Sequence, residues 1–244
     1  MVWVKLLVIA VCGYMLGNIS AGMIISNHLA KIDIRQHGSK STGATNMFRV
    51  LGAKASLLTL FGDALKGALA CLLGLWLLGR DGVALGGVFL EGPIGVYLGG
   101  VCAVLGHMWP VVYKFRGGKG VATCLGVALV VDPVVALVML AITLAIIFTT
   151  RIVSVASLTI LAVYAAYYLI TGWGNWPLCI FVVLMMALVY FAHRSNIRRI
   201  LNGSHTIQIT ASDGKESTSL SATFTKSVTS ASVTLTTPLA VDGD

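Results

Sequence analysis

Charge is what this 244-residue chain has least of: 11% of its residues are charged and only nine are acidic, against 57% hydrophobic and a mean hydropathy of +0.90. A soluble domain carries about 25% charged residues, so that class is excluded and an integral membrane protein is predicted. Paired cysteines are also missing. Cys12, Cys71, Cys102, Cys124 and Cys179 are odd in number, scattered through apolar segments and never spaced Cys-x-x-Cys, which argues against a disulfide framework or a thiolate metal site and for reduced packing residues. The first 21 residues lack the charged start and cleavage signature of a secretory signal, and their apolar run continues to about Ala30. That stretch therefore reads as a retained helix.

Apolar runs are abundant. About 20 apolar residues cross a bilayer core, and residues 3–27, 53–78, 93–111, 133–150, 152–170 and 176–193 qualify or nearly do. A seventh run, 119–131, would extend only roughly 20 Å as a helix, so it is expected to start below the membrane surface with a glycine-rich loop sunk between its neighbours. The predicted fold is all-α and polytopic, with about seven transmembrane helices.

Positive charge is not shared equally between the two sides. With seven crossings, one side gathers Lys31, Arg35, Lys40, Arg49 and Lys54, then Lys114, Arg116 and Lys119, then Arg151, then Arg194, Arg198 and Arg199. The opposite loops hold Arg80 with Asp81, Glu91 and Asp132. The positive-inside rule then places the N-terminus outside and the C-terminal end in the cytoplasm. Residues 1–203 carry a net +10, whereas the last 41 residues carry −2 and include 17 Ser or Thr. The expected domains are a membrane body, 1–203, and a Ser/Thr-rich, flexible tail, 204–244. Residues 222–236 alternate loosely enough for an edge strand.

Three of the basic loops have the chemistry of anion sites. The run Gly106-His-Met-Trp-Pro-Val-Val-Tyr-Lys-Phe-Arg-Gly-Gly-Lys-Gly-Val-Ala-Thr123 sets Gly117, Gly118 and Gly120 around Lys119 and opens onto a helix. Its bare backbone N–H groups can approach a phosphate closely. The stretch Lys31 to Arg49 offers Gly38 and Gly43 for turns, Ser39, Ser41, Thr42, Thr45 and Asn46 as short polar groups, and Arg35 and Arg49 as planar forks for phosphate. An ordinary basic loop drawn to anionic lipid is the alternative there. Third comes His193-Arg-Ser-Asn-Ile-Arg-Arg199, where His193 and Asn196 share a helical face and Arg198 and Arg199 fit a juxtamembrane anchor. Asp63 and Lys66, three apart within the second span, are costly there unless they pair or face a wet site. Asp132-Pro133 and the Gly172 to Pro177 turn are read as architecture. A nucleotide-binding P-loop fails, because Tyr113 stands where glycine is needed and Gly120 where Ser or Thr must meet magnesium.

Taken together, these loops resemble the bacterial acyl-phosphate:glycerol-3-phosphate acyltransferase family over residues 1–203. The resemblance is carried by Gly106-His-x-x-Pro110 with Lys114-Phe-Arg-Gly-Gly-Lys-Gly-Val-Ala-Thr123, and by Asp33-Ile-Arg35, Gly38-Ser39, Gly43-Ala-Thr-Asn46 and Arg49. Asp63-x-x-Lys-Gly67 and His193-x-x-Asn-Ile197 with Arg199 and Gly203 complete it. The family usually has Gly-Ser-Gly-Asn where this chain has Gly38-Ser39-Lys40-Ser41, often proline where Ser20 stands, and often Ser/Thr-Glu where Ser204-His205 stands. His28 and Asp33 also fit a His-x-x-x-x-Asp spacing used by another acyltransferase class, a two-residue match of the kind chance supplies.

The resemblance implies transfer of a fatty acyl group from acyl phosphate to the 1-hydroxyl of sn-glycerol 3-phosphate, giving lysophosphatidic acid and phosphate. It implies Ser39, Arg49, Lys119, His193 and Asn196 as catalytic residues, and Arg35, Gly38, Gly43, Thr45, Asn46, His107, Gly117, Gly118 and Gly120 as the substrate and phosphate site. No metal or other cofactor is expected, since cations and backbone donors can supply the stabilisation. The expected partners are the two phosphorylated substrates and membrane lipid, not nucleic acid, in a bacterial cell membrane with the site facing the cytoplasm. Either His193 or the substrate's own phosphate takes the proton. A transporter or channel for small phosphorylated anions is the competing class, though no clear internal repeat supports it.

Overall fold

A computed structural model describes residues 1–202 and, beyond them, the backbone of three strand segments. The chain divides into two compact units, Met1–Ala192 and His193–Asp244.

The first unit is helical: α1 (Val2–Asn18), α2 (Ala21–Ala30), α3 (Ala44–Leu78), α4 (Ile94–Met108), α5 (Val121–Val131), α6 (Pro133–Thr150), α7 (Val153–Thr171) and α8 (Trp176–Ala192). One small hairpin departs from the all-α expectation. Its strands, β1 (Val83–Leu85) and β2 (Val88–Leu90), are antiparallel and joined by Gly86-Gly87 at φ 56° and 85°, the left-handed pair that a tight two-residue hairpin turn requires. Among the described residues, five segments are long and apolar enough to cross a bilayer, or six if α8 is counted with the helix after it. The 11 residues of α5 extend about 16 Å, well short of the bilayer core of about 30 Å.

One expected span is interrupted and another is preceded by a kinked arm. The run 3–27 breaks at Ile19-Ser20, where Ser20 turns extended and its Oγ accepts the Met23 N–H at 3.4 Å to cap α2. The helix expected from residue 53 starts at Ala44 instead. Gly52, at φ 82° and ψ −173°, kinks it into a short arm, 44–51, and the long apolar rod that follows.

Burial is arranged for lipid rather than water. Helix α6 buries only Ala136 and exposes Val134, Leu137, Val138, Ile142, Leu144 and Phe148. Inside lie Asn18, Thr59, Asp63, Lys66, His107 and Thr123. Helices meet there through small residues. Gly17 on α1 faces Ala103 and Gly106 on α4, Gly74 on α3 faces Gly95 on α4, and Gly67 and Gly126 close the α3–α5 seam against Thr123 and Ala64. At each of these glycines a Cβ would collide with facing backbone, the close approach by which helices associate where lipid offers no hydrophobic drive.

The second unit contains α9 (Arg194–Leu201), with His193 at its N-cap, and an antiparallel sheet of β3 (Ser204–Ser212), β4 (Ser217–Lys226) and β5 (Ala231–Thr236). Ser212 pairs with Ser217, and Lys226 with Ala231. These strands fall where the sequence pointed to a flexible tail with at most an edge strand over 222–236. Residue 203 and residues 213–216, 227–230 and 237–244 lie outside the described ones.

Nothing lies within 4 Å of a Cβ built on Gly52, so its φ of 82° alone demands glycine. Gly52→Ala should destabilise the protein by about 1–3 kcal/mol and lower its thermal midpoint in detergent. An unchanged midpoint would show that the kink is not needed.

Candidate active site

Asn46 organises the first basic loop. It sits in the first turn of α3 behind the N-cap Gly43, and its amide is buried. Its Oδ1 accepts the Ser39 N–H at 2.8 Å, while Nδ2 donates to the carbonyls of Ser41 at 2.8 Å, His37 at 3.0 Å and Ile34 at 3.3 Å. One side chain therefore replaces the regular backbone bonding that this loop lacks. Gly38, at φ 57°, presses against that amide, so a Cβ there would displace it. Ser39, Thr45 and Arg49 are left exposed around the rim. Lys40, also exposed, stands at φ 58°, a left-handed conformation that costs a residue with a side chain roughly 1–2 kcal/mol. The cation thus replaces the resembled family's glycine without changing the backbone shape a glycine would favour.

Arg35 ties this loop to the second one. Its guanidinium binds Asp33 in a fork, Nη2 to Oδ2 at 2.7 Å and Nε to Oδ1 at 3.0 Å, and Nη1 donates to the Tyr113 carbonyl at 3.2 Å. The same group lies 5.6 Å from the centre of the Tyr113 ring. The hydrogen bonds from Arg35 hold the Asp33 carboxyl below the usual carboxylate range, and Asp33 raises the guanidinium in return. Because the folded value for Asp33 is depressed, the stability it contributes is fully present above the ordinary carboxylate pKa of about 3.9 and is lost as pH falls on through the lower folded value. Expected as a phosphate fork, Arg35 spends much of its donor capacity within the protein.

The second loop leaves α4 at Trp109, whose carbonyl accepts the Tyr14 hydroxyl at 2.8 Å. Asn18, buried at the end of α1, donates to the Tyr14 carbonyl at 2.7 Å and receives the Val112 N–H at 3.4 Å. The chain then returns so that the Gly118 N–H donates to the His107 carbonyl at 3.1 Å. Gly117 packs on that carbonyl and Gly118 on the His107 ring. These glycines serve contact with α4 as much as access for a ligand. Gly120, buried at φ 84°, then starts α5. Lys119 is half-buried between them, beside the N–H groups of the first turn. Thr123 completes that turn with a fully buried Oγ1 that has no hydrogen-bond partner among the described residues.

In the second unit, His193 and Asn196 are both buried, and Asn196 Oδ1 accepts Arg199 Nη2 at 2.6 Å. Arg194 and Arg198 are exposed. Asp63 and Lys66 form the pair that their spacing suggested, Nζ to Oδ1 at 2.8 Å, with His107 as an unforeseen third member. Residue types and spacing therefore pointed to the polar residues of both loops. Tyr14 and Asn18 had no local signal, and Tyr113 and Thr123, quoted within the second loop's motif, were given no role of their own.

The glycerol-3-phosphate acyltransferase family profile matches residues 7–203. Glycerol-3-phosphate acyltransferase of Thermoanaerobacter pseudethanolicus is 39% identical over 197 residues, covering 81% of this chain and 92% of the relative. That of Geobacillus kaustophilus is 40% identical over 194 residues, covering 80% and 91%. The fold is similar to the crystal structure of PlsY (YgiH), an integral membrane glycerol 3-phosphate acyltransferase, in its glycerol 3-phosphate form. The TM-score is 0.72 at 35% identity, over 81% of this chain and 92% of that one; the lysophosphatidic acid form gives 0.71. With its apolar spans and the loops just described, the chain is a multi-pass membrane protein and belongs to the glycerol-3-phosphate acyltransferase family.

Proposed function

We propose that the chain transfers a fatty acyl group from acyl phosphate to the 1-hydroxyl of sn-glycerol 3-phosphate, releasing lysophosphatidic acid and inorganic phosphate. The observation that carries this reading is the joining of two basic loops, through Arg35 and Tyr113, at the mouth of a glycine-opened helix. Both substrates bear phosphate, and two adjoining anion sites suit them. The exposed rim of the first loop, Ser39, Thr45 and Arg49, suits glycerol 3-phosphate; the Gly117–Gly120 turn with Lys119 suits the acyl phosphate head, its chain lying in lipid between helices. His193 and Asn196 serve as the remaining catalytic residues. Gly38, Gly43, Asn46 and Arg35 hold the first loop in shape, and His107 supports the second.

The glycerol oxygen attacks the acyl carbonyl carbon and forms the ester bond. The carbonyl–phosphate bond breaks and phosphate leaves with its electron pair. The hydroxyl proton passes to His193 or to a phosphate oxygen. Acyl phosphate already contains a good leaving group, so orientation and charge stabilisation suffice and no acyl-enzyme is needed. If the short α5 is counted as a seventh crossing, the one-sided basic residues of these loops support an outer N-terminus and a site open to the cytoplasm at the bacterial cell membrane. By composition the catalytic body extends to residue 203, beyond the break between compact units at 192/193, and the Ser/Thr-rich residues 204–244 are no part of it.

Purified protein supplied with palmitoyl phosphate and glycerol 3-phosphate, without added metal, should form lysophosphatidic acid. Lys119→Ala should reduce that rate by at least about 100-fold, as loss of a charge-stabilising donor does; no product from the unaltered protein in any detergent or lipid would refute the reading. Asn46→Asp keeps an acceptor for Ser39 but sets a carboxylate against three carbonyls, and should raise the KM for glycerol 3-phosphate and cost at least about 2 kcal/mol of stability. A variant with unchanged KM and thermal midpoint would remove Asn46 from its organising role. Lys40→Gly should raise the midpoint, by relief of about 1–2 kcal/mol of left-handed strain, and a lowered midpoint would contradict that strain.

A further inference from the structure

One buried polar group has no part in the reaction as written: the Asp63–Lys66–His107 cluster, in which each residue is at most 4% exposed. The Lys66 ammonium has three N–H donors and no acceptor. Its three neighbours are Asp63 Oδ1 at 2.8 Å, the Ile19 carbonyl at 2.7 Å and His107 Nδ1 at 2.8 Å. The Ile19 carbonyl is available because the chain breaks there between α1 and α2, and the Ser20 hydroxyl takes the Met23 N–H that an unbroken helix would have directed to it. Lys66 thus hydrogen-bonds the Ile19 carbonyl and His107 Nδ1 and pairs in charge with Asp63 Oδ1, a buried oxygen with no hydrogen-bond partner among the described residues.

His107 Nδ1 faces two groups, Lys66 Nζ at 2.8 Å and Asp63 Oδ1 at 3.5 Å. With the ammonium donating across the shorter distance, Nδ1 is the acceptor. The ring is then neutral and carries its proton on Nε2. The Nε2 edge lies against Gly118, where a built Cβ would meet Nε2, Cε1 and Cδ2, and the Gly118 N–H is bonded to the carbonyl of the same histidine. His107 therefore grips the glycine loop by ring and backbone together, while Lys66 fixes the opposite ring edge.

We infer that Lys66, with Asp63 as its counter-ion, is a positioning residue for acyl transfer that acts through the His107 ring on the Gly117–Gly120 loop. Its kinetic consequence rests on the function proposed above; its geometry does not. Without Lys66, Asp63 would be an unpaired carboxylate at membrane depth and nothing would hold the ring in register under Gly118. A loop misplaced by about 1 Å can cost about 100-fold in rate.

Nitrogen-15 NMR of histidine- and glycine-labelled protein in lipid nanodiscs tests the tie directly. In the unaltered protein His107 Nδ1 should be unprotonated and Nε2 protonated. In Lys66→Met that pattern should be lost and the amide signals of Gly117, Gly118 and Gly120 should move. His107→Asn supplies an amide oxygen for Lys66 but has no outer ring edge. It should keep its thermal midpoint, shift the same glycine amides and lose about 10- to 100-fold in kcat with a much smaller change in KM. If Lys66→Met does not fold, the unaltered protein and His107→Asn decide the matter. A protonated Nδ1 in the unaltered protein, unmoved loop amides in His107→Asn, or an unchanged kcat in that variant would overturn the inference. Absence of acyl transfer in the unaltered protein would count against the proposed function alone, because the ring and amide signals are read without turnover.

Discussion

The close approach of helix backbones through glycine is the constraint on which the rest of the first unit depends. Lipid gives apolar side chains little reason to leave it, so contact between α1, α3, α4 and α5 has to come from shape and from polar bonds. Gly17, Gly67, Gly74 and Gly126 supply the shape. The same closeness brings Asp63, Lys66, His107 and the Ile19 carbonyl within bonding distance. A wider seam would take the Ile19 carbonyl and His107 away from the Lys66 ammonium and leave it only Asp63, its neighbour on the same helix, in a medium of low dielectric.

The loops follow from this frame. The glycine turn at Gly117 and Gly118 lies on the end of α4, and α5 begins below it at a buried Gly120. The first loop, bonded inward by Asn46, is joined to the second by Arg35. Much of the polarity of this region is therefore spent on holding two loops in one arrangement, and a smaller set, Ser39, Thr45, Arg49 and Lys119, is the one proposed to meet the ligands. That division of labour is what preorganised electrostatic catalysis needs, since donors already in place require no rearrangement as charge develops.

Long apolar runs and basic loops made the membrane architecture legible in the sequence, and the Asp63–Lys66 pair could be read because three residues is a helical neighbour distance. The break at Ile19 and the kink at Gly52 were not legible. Apolar content continues smoothly across the first, and the second depends on one backbone angle. Arg35 was read as a ligand fork because residue type alone cannot show that Asp33 and a carbonyl 78 residues away occupy it. The contact of His107 with Lys66 was hidden likewise, the lysine lying 41 residues earlier on another helix. Local pattern pointed to the loops, and long-range packing shows which of their side chains are bonded within the protein.

A structure of this chain with glycerol 3-phosphate bound tests that division of labour most directly. The phosphate should lie at the joined loops, within hydrogen-bond reach of Arg49 or the Ser39–Lys40 rim and near the first turn of α5, with Arg35 still on Asp33 and Tyr113. Phosphate bound away from these two loops, or a first loop taken apart to receive it, would contradict the account.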